Sequence, residues 1–255
     1  MTQPVITFHD LHPTADDLGA DVLRGFSRPQ KSIPPKYFYD AEGSRLFDAI
    51  TALPEYYPTR TEMAMLHAYA DEIAAKAGTG HLLIEPGSGS CTKARILFEG
   101  LQPCAYVPMD ISRQHLQLAA EEVAVEYPWL EVHAACTDFT RLMSLPPTSP
   151  EGRRLAFFPG SSIGKFDPDA AVDFLGLVAE MVGPGGQVIC VDVQPAMLRA
   201  LCRRAVAAGL AGRIETHASS EYSIGLDGWN DHFDFALAFS VLHEVPGRGN
   251  FLREI

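Results

Sequence analysis

The run Ile84-Glu85-Pro86-Gly87-Ser88-Gly89-Ser90-Cys91-Thr92-Lys93 carries the strongest chemical signal in the chain, because an apolar stretch passes into an E-x-G-x-G turn and then into a helix-forming segment. Glycines let a backbone turn tightly and approach a ligand without Cβ interference, and the first turn of the next helix presents unpaired N–H groups. That combination suits a nucleoside cofactor. The third glycine of the dinucleotide fingerprint is missing, and no GxxxxGK[ST] phosphate loop occurs. About 20 residues past the turn, Asp110 ends the next apolar run, where a carboxylate can accept hydrogen bonds from both ribose hydroxyls. Its competing role is an N-cap for a helix from Ser112 onward. Asp138 ends a third apolar run and can accept from an adenine amine while Phe139 packs on the ring.

Such residues need a frame that gathers strand ends. From His81 onward, short apolar segments alternate with helical ones: His81–Glu85, Ala105–Asp110, Glu131–Ala135, Leu155–Pro159 and Gln187–Val193. The alternation predicts an α/β fold with a doubly wound, mostly parallel sheet, whose ligands bind at the carboxyl ends of the strands. Those ends are Gly87–Gly89, Asp110, Asp138-Phe139 and Pro159–Gly164. Residues 13–76 read as helices. Thr14 can cap a segment with Leu18, Val22, Leu23 and Phe26 on one face, and Ser44 precedes Leu46, Phe47 and Ile50 at helical spacing. Thr59 and Glu62 have the spacing of a capping box for a longer helix that stops near Gly78. Between the last two lies a loop, Leu53-Pro54-Glu55-Tyr56-Tyr57-Pro58, whose tyrosines suit either packing or substrate contact.

Composition narrows the partners. A chain of 255 residues with 47% hydrophobic content can bury a full core, as one large domain or a main domain with an appendage. The formal net charge of −12 disfavours nucleic acid and anionic membrane surfaces, both of which need a basic face. No apolar run approaches the roughly 20 residues of a membrane span. The five cysteines are scattered without CxxC spacing, the pattern of reduced core thiols in a cytoplasmic protein. The nine histidines lack metal-ligand spacing, so no metal is expected. A small molecule is the expected partner, and the sequence sets no oligomeric state.

Three long runs then give the chain a resemblance. They are Lys31-Ser32-Ile33-Pro34-Pro35-Lys36-Tyr37-Phe38-Tyr39-Asp40, Gly43-Ser44-Arg45-Leu46-Phe47-Asp48 and Leu53-Pro54-Glu55-Tyr56-Tyr57-Pro58-Thr59-Arg60-Thr61-Glu62, followed in order by Glu85-Pro86-Gly87-Ser88-Gly89, Pro108-Met109-Asp110-Ile111-Ser112 and Phe157-Phe158-Pro159-Gly160-Ser161-Ser162-Ile163-Gly164. From about residue 14 to about residue 186 the chain resembles the ergothioneine-pathway L-histidine Nα-methyltransferases, which use S-adenosylmethionine. The resemblance implies a Rossmann-like class I methyltransferase fold with an N-terminal helical cap. It implies cofactor contacts from Tyr39, Gly87, Gly89, Lys93, Asp110, Asp138 and Phe139. Tyr56 matches the family tyrosine that contacts the amino-acid substrate and is the expected orienting, catalytic group. Gly160 and Ser161 lie in the loop that passes between cofactor and substrate.

The chain departs from that family at two places. Lys165 stands where the family usually has an asparagine contacting the substrate α-amine; an ammonium beside an amine that must be uncharged is a poor exchange, although Lys165 can instead bind the substrate carboxylate. After Gly183-Pro184-Gly185-Gly186 the sequence is similar to a ubiquinone-biosynthesis-type small-molecule methyltransferase, without a glycine loop of its own. The expected organisation is a helical region over 1–78 that contributes to the site and a cofactor domain over 79–255, atypical and truncated over 187–255. Asp192 is expected only to end a strand, with Gln187–Val193 as the fifth strand of the sheet, a helix over Pro195–Ala208 and a later strand over Phe233–Phe239. Methyl transfer to the α-nitrogen of an amino acid, L-histidine first, is the leading reading. A different acceptor, and a cofactor-binding remnant without turnover, are the alternatives.

Overall fold

The computed structural model describes residues 5–11, 18–140, 145–147, 149–151, 153–160, 166, 168–181, 188–192 and 194–218. Five parallel strands, β1 (Ile6–Asp10), β2 (Leu82–Pro86), β3 (Ala105–Asp110), β4 (Glu131–Cys136) and β5 (Arg154–Ala156), form one sheet in the order β1-β4-β3-β2-β5. Parallel pairing demands that both faces be covered, and the period-two alternation sorts the side chains accordingly. Leu83, Tyr106, Val132 and Ala134 point to one face, where α4 (Thr92–Leu101) and α5 (Arg113–Glu126) supply Leu97, Phe98, Leu116 and Val123. Leu82, Ile84, Val107 and Met109 point to the other, against Phe174, Leu175 and Val178 of α6 (Pro168–Met181). All seven of the last-named residues are buried.

The cap consists of α1 (Leu18–Ser27), a 3-10 turn over Pro35–Phe38, α2 (Ala41–Thr51) and α3 (Tyr57–Ala77). Two helix starts differ from expectation. The second begins at Ala41, because the Asp40 carboxylate accepts from the Gly43 N–H at 2.7 Å and caps it; Ser44 sits inside the helix. The third begins at Tyr57 with Pro58 in its first turn, so Thr59 is already helical and no side-chain capping bond forms. Glu62 is therefore released from the capping box and used elsewhere. The stop at Gly78 is as expected, with φ +81° and its N–H donating to Ala74.

Three further departures have clear causes. Strand β1 went unread because it is short, half-exposed and interrupted by His9; it holds the sheet edge by pairing with β4, from Ile6 against Val132 to Asp10 against Cys136. The helical region read over 1–78 thus begins with a strand. The fifth strand of the sheet is the N-terminal β1, because β6 (Val188–Asp192) pairs in parallel with β7 (Ile214–Ala218), across α7 (Pro195–Ala207), as a separate two-stranded sheet. Cys91 and Cys136 are buried, but Cys104 and Cys202 are exposed, so the five thiols are not uniformly core residues. Thr14 and the expected strand over Phe233–Phe239 lie outside the described residues. Among the described residues, no helix is long and apolar enough to cross a membrane, and no cluster of three or more His, Cys, Asp and Glu is placed to hold a metal ion.

Candidate active site

The carboxyl ends of β2, β3 and β4 meet the cap across a cavity of about 930 Å³, at the upper end of the ~300–1,000 Å³ typical of small-molecule sites. The glycine turn forms one wall. Gly87 has φ +68° and Gly89 φ +51°, a conformation in which L-residues are strained. A Cβ at Gly87 would lie 3.2 Å from Cζ of Phe139, whereas one at Gly89 would enter open space inside the cradle. We expect Gly87→Ala to weaken cofactor binding about tenfold, from left-handed strain of ~1–2 kcal/mol plus displacement of the Phe139 ring; titration calorimetry reads it, and an unchanged affinity would place the ligand elsewhere.

Asp110 fastens this turn. Its Oδ2 accepts from the Gly89 N–H at 3.0 Å and its Oδ1 from the Ser112 N–H at 2.9 Å. The Asp110 carboxylate thus steadies both the turn and the start of α5, while Ser112 occupies the N-cap position itself. An ionised carboxylate has about four acceptor positions, so two remain for ligand hydroxyls. Burial raises the Asp110 carboxyl above its ordinary range, opposed by the backbone hydrogen bonds from Ser112 and Gly89.

Beneath the turn, Glu85 is almost fully buried and accepts from the Tyr106 hydroxyl. Burial pushes its carboxyl up to about 8, against the opposing effects of the Tyr106 hydrogen bond and the Lys93 charge. Between its unfolded value of about 4.5 and about 8, the folded chain holds a proton that the unfolded chain has lost, so this group's contribution to stability is full below pH 4.5 and falls as pH rises to about 8. Glu85→Gln keeps an acceptor for Tyr106 and removes the titration. Denaturant unfolding of the variant is expected to lose less stability than the native chain between pH 5 and pH 8; parallel pH curves for the two proteins would refute a buried, neutral Glu85.

Charged pairs tie the cap to the strand ends on both sides of the cavity. Lys93 Nζ lies 2.5 Å from Glu62 Oε2, and Glu62 Oε1 accepts from the Gly160 N–H at 2.6 Å. Lys36 Nζ lies 3.2 Å from Oδ2 of Asp138, whose Oδ1 accepts from the Thr140 N–H at 3.2 Å and from its hydroxyl at 2.5 Å. His115 Nε2 is 3.3 Å from Asp48 Oδ2. An aromatic row, Tyr39, Phe47 and Tyr56, runs along the cap wall with edge-to-face centroid separations of 6.1 and 6.0 Å. Phe139 meets Phe158 edge-on at 5.8 Å.

Tyr39, Tyr56, Gly87, Gly89, Lys93, Asp110, Asp138, Phe139 and Gly160 therefore line one cavity. Ser161 and Lys165 lie outside the described residues. The sequence reading missed Glu62, Lys36, Phe47 and His115 as wall residues. The first three fall within the long N-terminal runs, which was their signal; His115 had none.

A parallel sheet with helices on both faces, a glycine turn after β2 and a carboxylate at the end of β3 make a Rossmann-like nucleoside-cofactor fold, which the family match makes that of a class I S-adenosylmethionine-dependent methyltransferase. The chain belongs to the family of histidine-specific, S-adenosylmethionine-dependent methyltransferases, which it matches over residues 18–200. It is 39% identical over 193 residues to histidine N-alpha-methyltransferase of Mycolicibacterium smegmatis, covering 74% of this chain and 59% of that one. Over 176 residues it is 40% identical to the Mycobacterium tuberculosis protein of the same name, covering 68% of this chain and 54% of that one. Ergothioneine biosynthesis protein 1 of Neurospora crassa is 30% identical over 165 residues, 62% of this chain and 19% of that one. The chain thus spans little more than half the length of the histidine N-alpha-methyltransferases it matches.

Proposed function

We propose that this chain binds S-adenosylmethionine in the cavity and directs its methyl group to the α-amino nitrogen of an amino acid, L-histidine before others, in an ergothioneine-type pathway of the cytoplasm. The observation that carries this reading is the convergence of nine residues, chosen from sequence, on one cavity of suitable size. When bound, the cofactor supplies an electrophilic methyl carbon on a sulfonium. Gly87 and Gly89 give it a close approach to backbone, Asp110 takes the ribose hydroxyls, and Asp138 with Phe139 holds the adenine, with Tyr39 and Lys93 completing the cofactor side. Tyr56 orients the acceptor amine, and Gly160, with Ser161 and Lys165 by their match to the family motif, binds the same substrate. Residues 1–78 act as the cap that contributes to this site and 79–255 as the cofactor domain.

The protein's part is mainly positioning, which can supply roughly 7–11 kcal/mol of a transfer barrier. The α-amine of a free amino acid is protonated at neutral pH beside its own carboxylate, so the site must also favour its neutral form, as desolvation does. Calorimetry with S-adenosylmethionine and S-adenosylhomocysteine, followed by a product assay over free amino acids, tests the reading. Binding with methylation of histidine is the expected result. Methylation of another amino acid alone would move the acceptor, as Lys165 in place of the family's asparagine suggests; binding without any methylated amine would leave a cofactor-binding protein, and absence of binding would overturn the proposal.

A further inference from the structure

Glu62 makes two contacts that the proposed binding roles do not use. It projects from the cap helix α3 and reaches two elements of the sheet domain at once, the Lys93 ammonium at 2.5 Å on α4 and the Gly160 N–H at 2.6 Å after β5. Both Glu62 and Lys93 are about one-fifth exposed, and both line the cavity beside the glycine turn. In that partly dehydrated setting a charge acts on its neighbours more strongly than at the surface. Gly160 has φ +87°, and its ideal Cβ would lie 3.3 Å from Lys93 Nζ, so the loop rests directly on this pair.

The charged groups around the turn are Glu62, Asp110 and Lys93, and all three act on the buried Glu85 beneath it. Lys93 is the cation of that group. A sulfonium donor carries one more positive charge than the thioether left after methyl transfer. Every unneutralised cation at this wall therefore disfavours the donor relative to the product, and every added anion does the reverse. We propose that Glu62 is a positioning and charge-setting residue: by holding and neutralising Lys93 it makes the site prefer the cationic methyl donor over its neutral demethylated product. The proposal rests on the cofactor reading above.

The experiment is calorimetric titration of the full chain with S-adenosylmethionine and with S-adenosylhomocysteine at one pH, for the native protein, Glu62→Gln and Lys93→Met. A lost fold or a widened cavity weakens both ligands in proportion, so the ratio of the two affinities isolates charge. Glu62→Gln is expected to lower the donor-to-product affinity ratio about tenfold, the size of removing one charge from a partly buried site. Lys93→Met, which leaves the Glu62 carboxylate unneutralised, is expected to raise the same ratio even as it weakens both ligands. If Glu62→Gln does not fold, the Lys93→Met ratio decides alone. Ratios equal to the native value, or shifts of the opposite sign, would overturn the role of Glu62. A native chain that binds neither ligand would instead overturn the cofactor reading, so the two failures are distinguishable.

Discussion

Replacing Asp110 with alanine is expected to weaken S-adenosylmethionine binding by roughly a hundred- to a thousandfold, equivalent to about 2.7–4 kcal/mol. The native carboxylate accepts the N–H groups of Gly89 and Ser112, and in the proposed reading the same oxygens take the ribose hydroxyls. Hydrogen bonds to a charged group contribute about 1.5–3 kcal/mol each, and the loss also frees the glycine turn from its only described side-chain acceptor of the Gly89 N–H. Asp110→Asn keeps one acceptor oxygen and is expected to fall between the two. Calorimetry gives the affinities, and circular dichroism checks that the sheet survives. An alanine variant that binds within threefold of the native chain would remove Asp110 from the cofactor's contacts.

The second large effect concerns the acceptor. Tyr56→Phe retains the ring that packs edge-on against Phe47 at 6.0 Å, so the aromatic row and the cap geometry are preserved. Only the hydroxyl is lost. If that hydroxyl orients the amine, kcat/KM for the amino acid should fall about ten- to a hundredfold, the cost of one polar contact left unmade in a closed site. Affinity for the cofactor should stay near the native value, because the proposed reading puts the hydroxyl on the acceptor side. Steady-state kinetics with saturating cofactor separates the two. Full activity together with unchanged amino-acid affinity would take the orienting role away from Tyr56.

The glycine-turn wall of the cavity was legible because its determinants are local. Gly87 follows β2 directly, Asp110 ends β3 and Asp138 lies two residues past the end of β4, each after an apolar run that announces its strand, so a topological rule sufficed to bring them together. The cap side was less legible, because its contacts join residues far apart in sequence. Glu62 meets Lys93 across 31 positions and Gly160 across 98, and Lys36 meets Asp138 across 102. Local pattern even misdirected Glu62, whose spacing from Thr59 imitates a capping box; Pro58 shifted the helix start and left its carboxylate for a tertiary role. Strand β1 escaped for a different reason. Its five residues are polar at alternate positions and half-exposed, and only the open edge of β4 selects them as a strand. The pairing of β6 with β7 likewise depends on which strand edge is available, which no local pattern encodes.

One measurement reads directly whether the cavity joins a sulfonium methyl donor to the α-nitrogen of an amino acid. The chain is incubated with methyl-labelled S-adenosylmethionine and L-histidine, and the position of the label is determined by fragmentation mass spectrometry. Label is expected on the α-nitrogen of histidine, formed in proportion to enzyme and lost in the Asp110→Ala variant. Label on the imidazole ring, or none on histidine while the cofactor is bound, would contradict it.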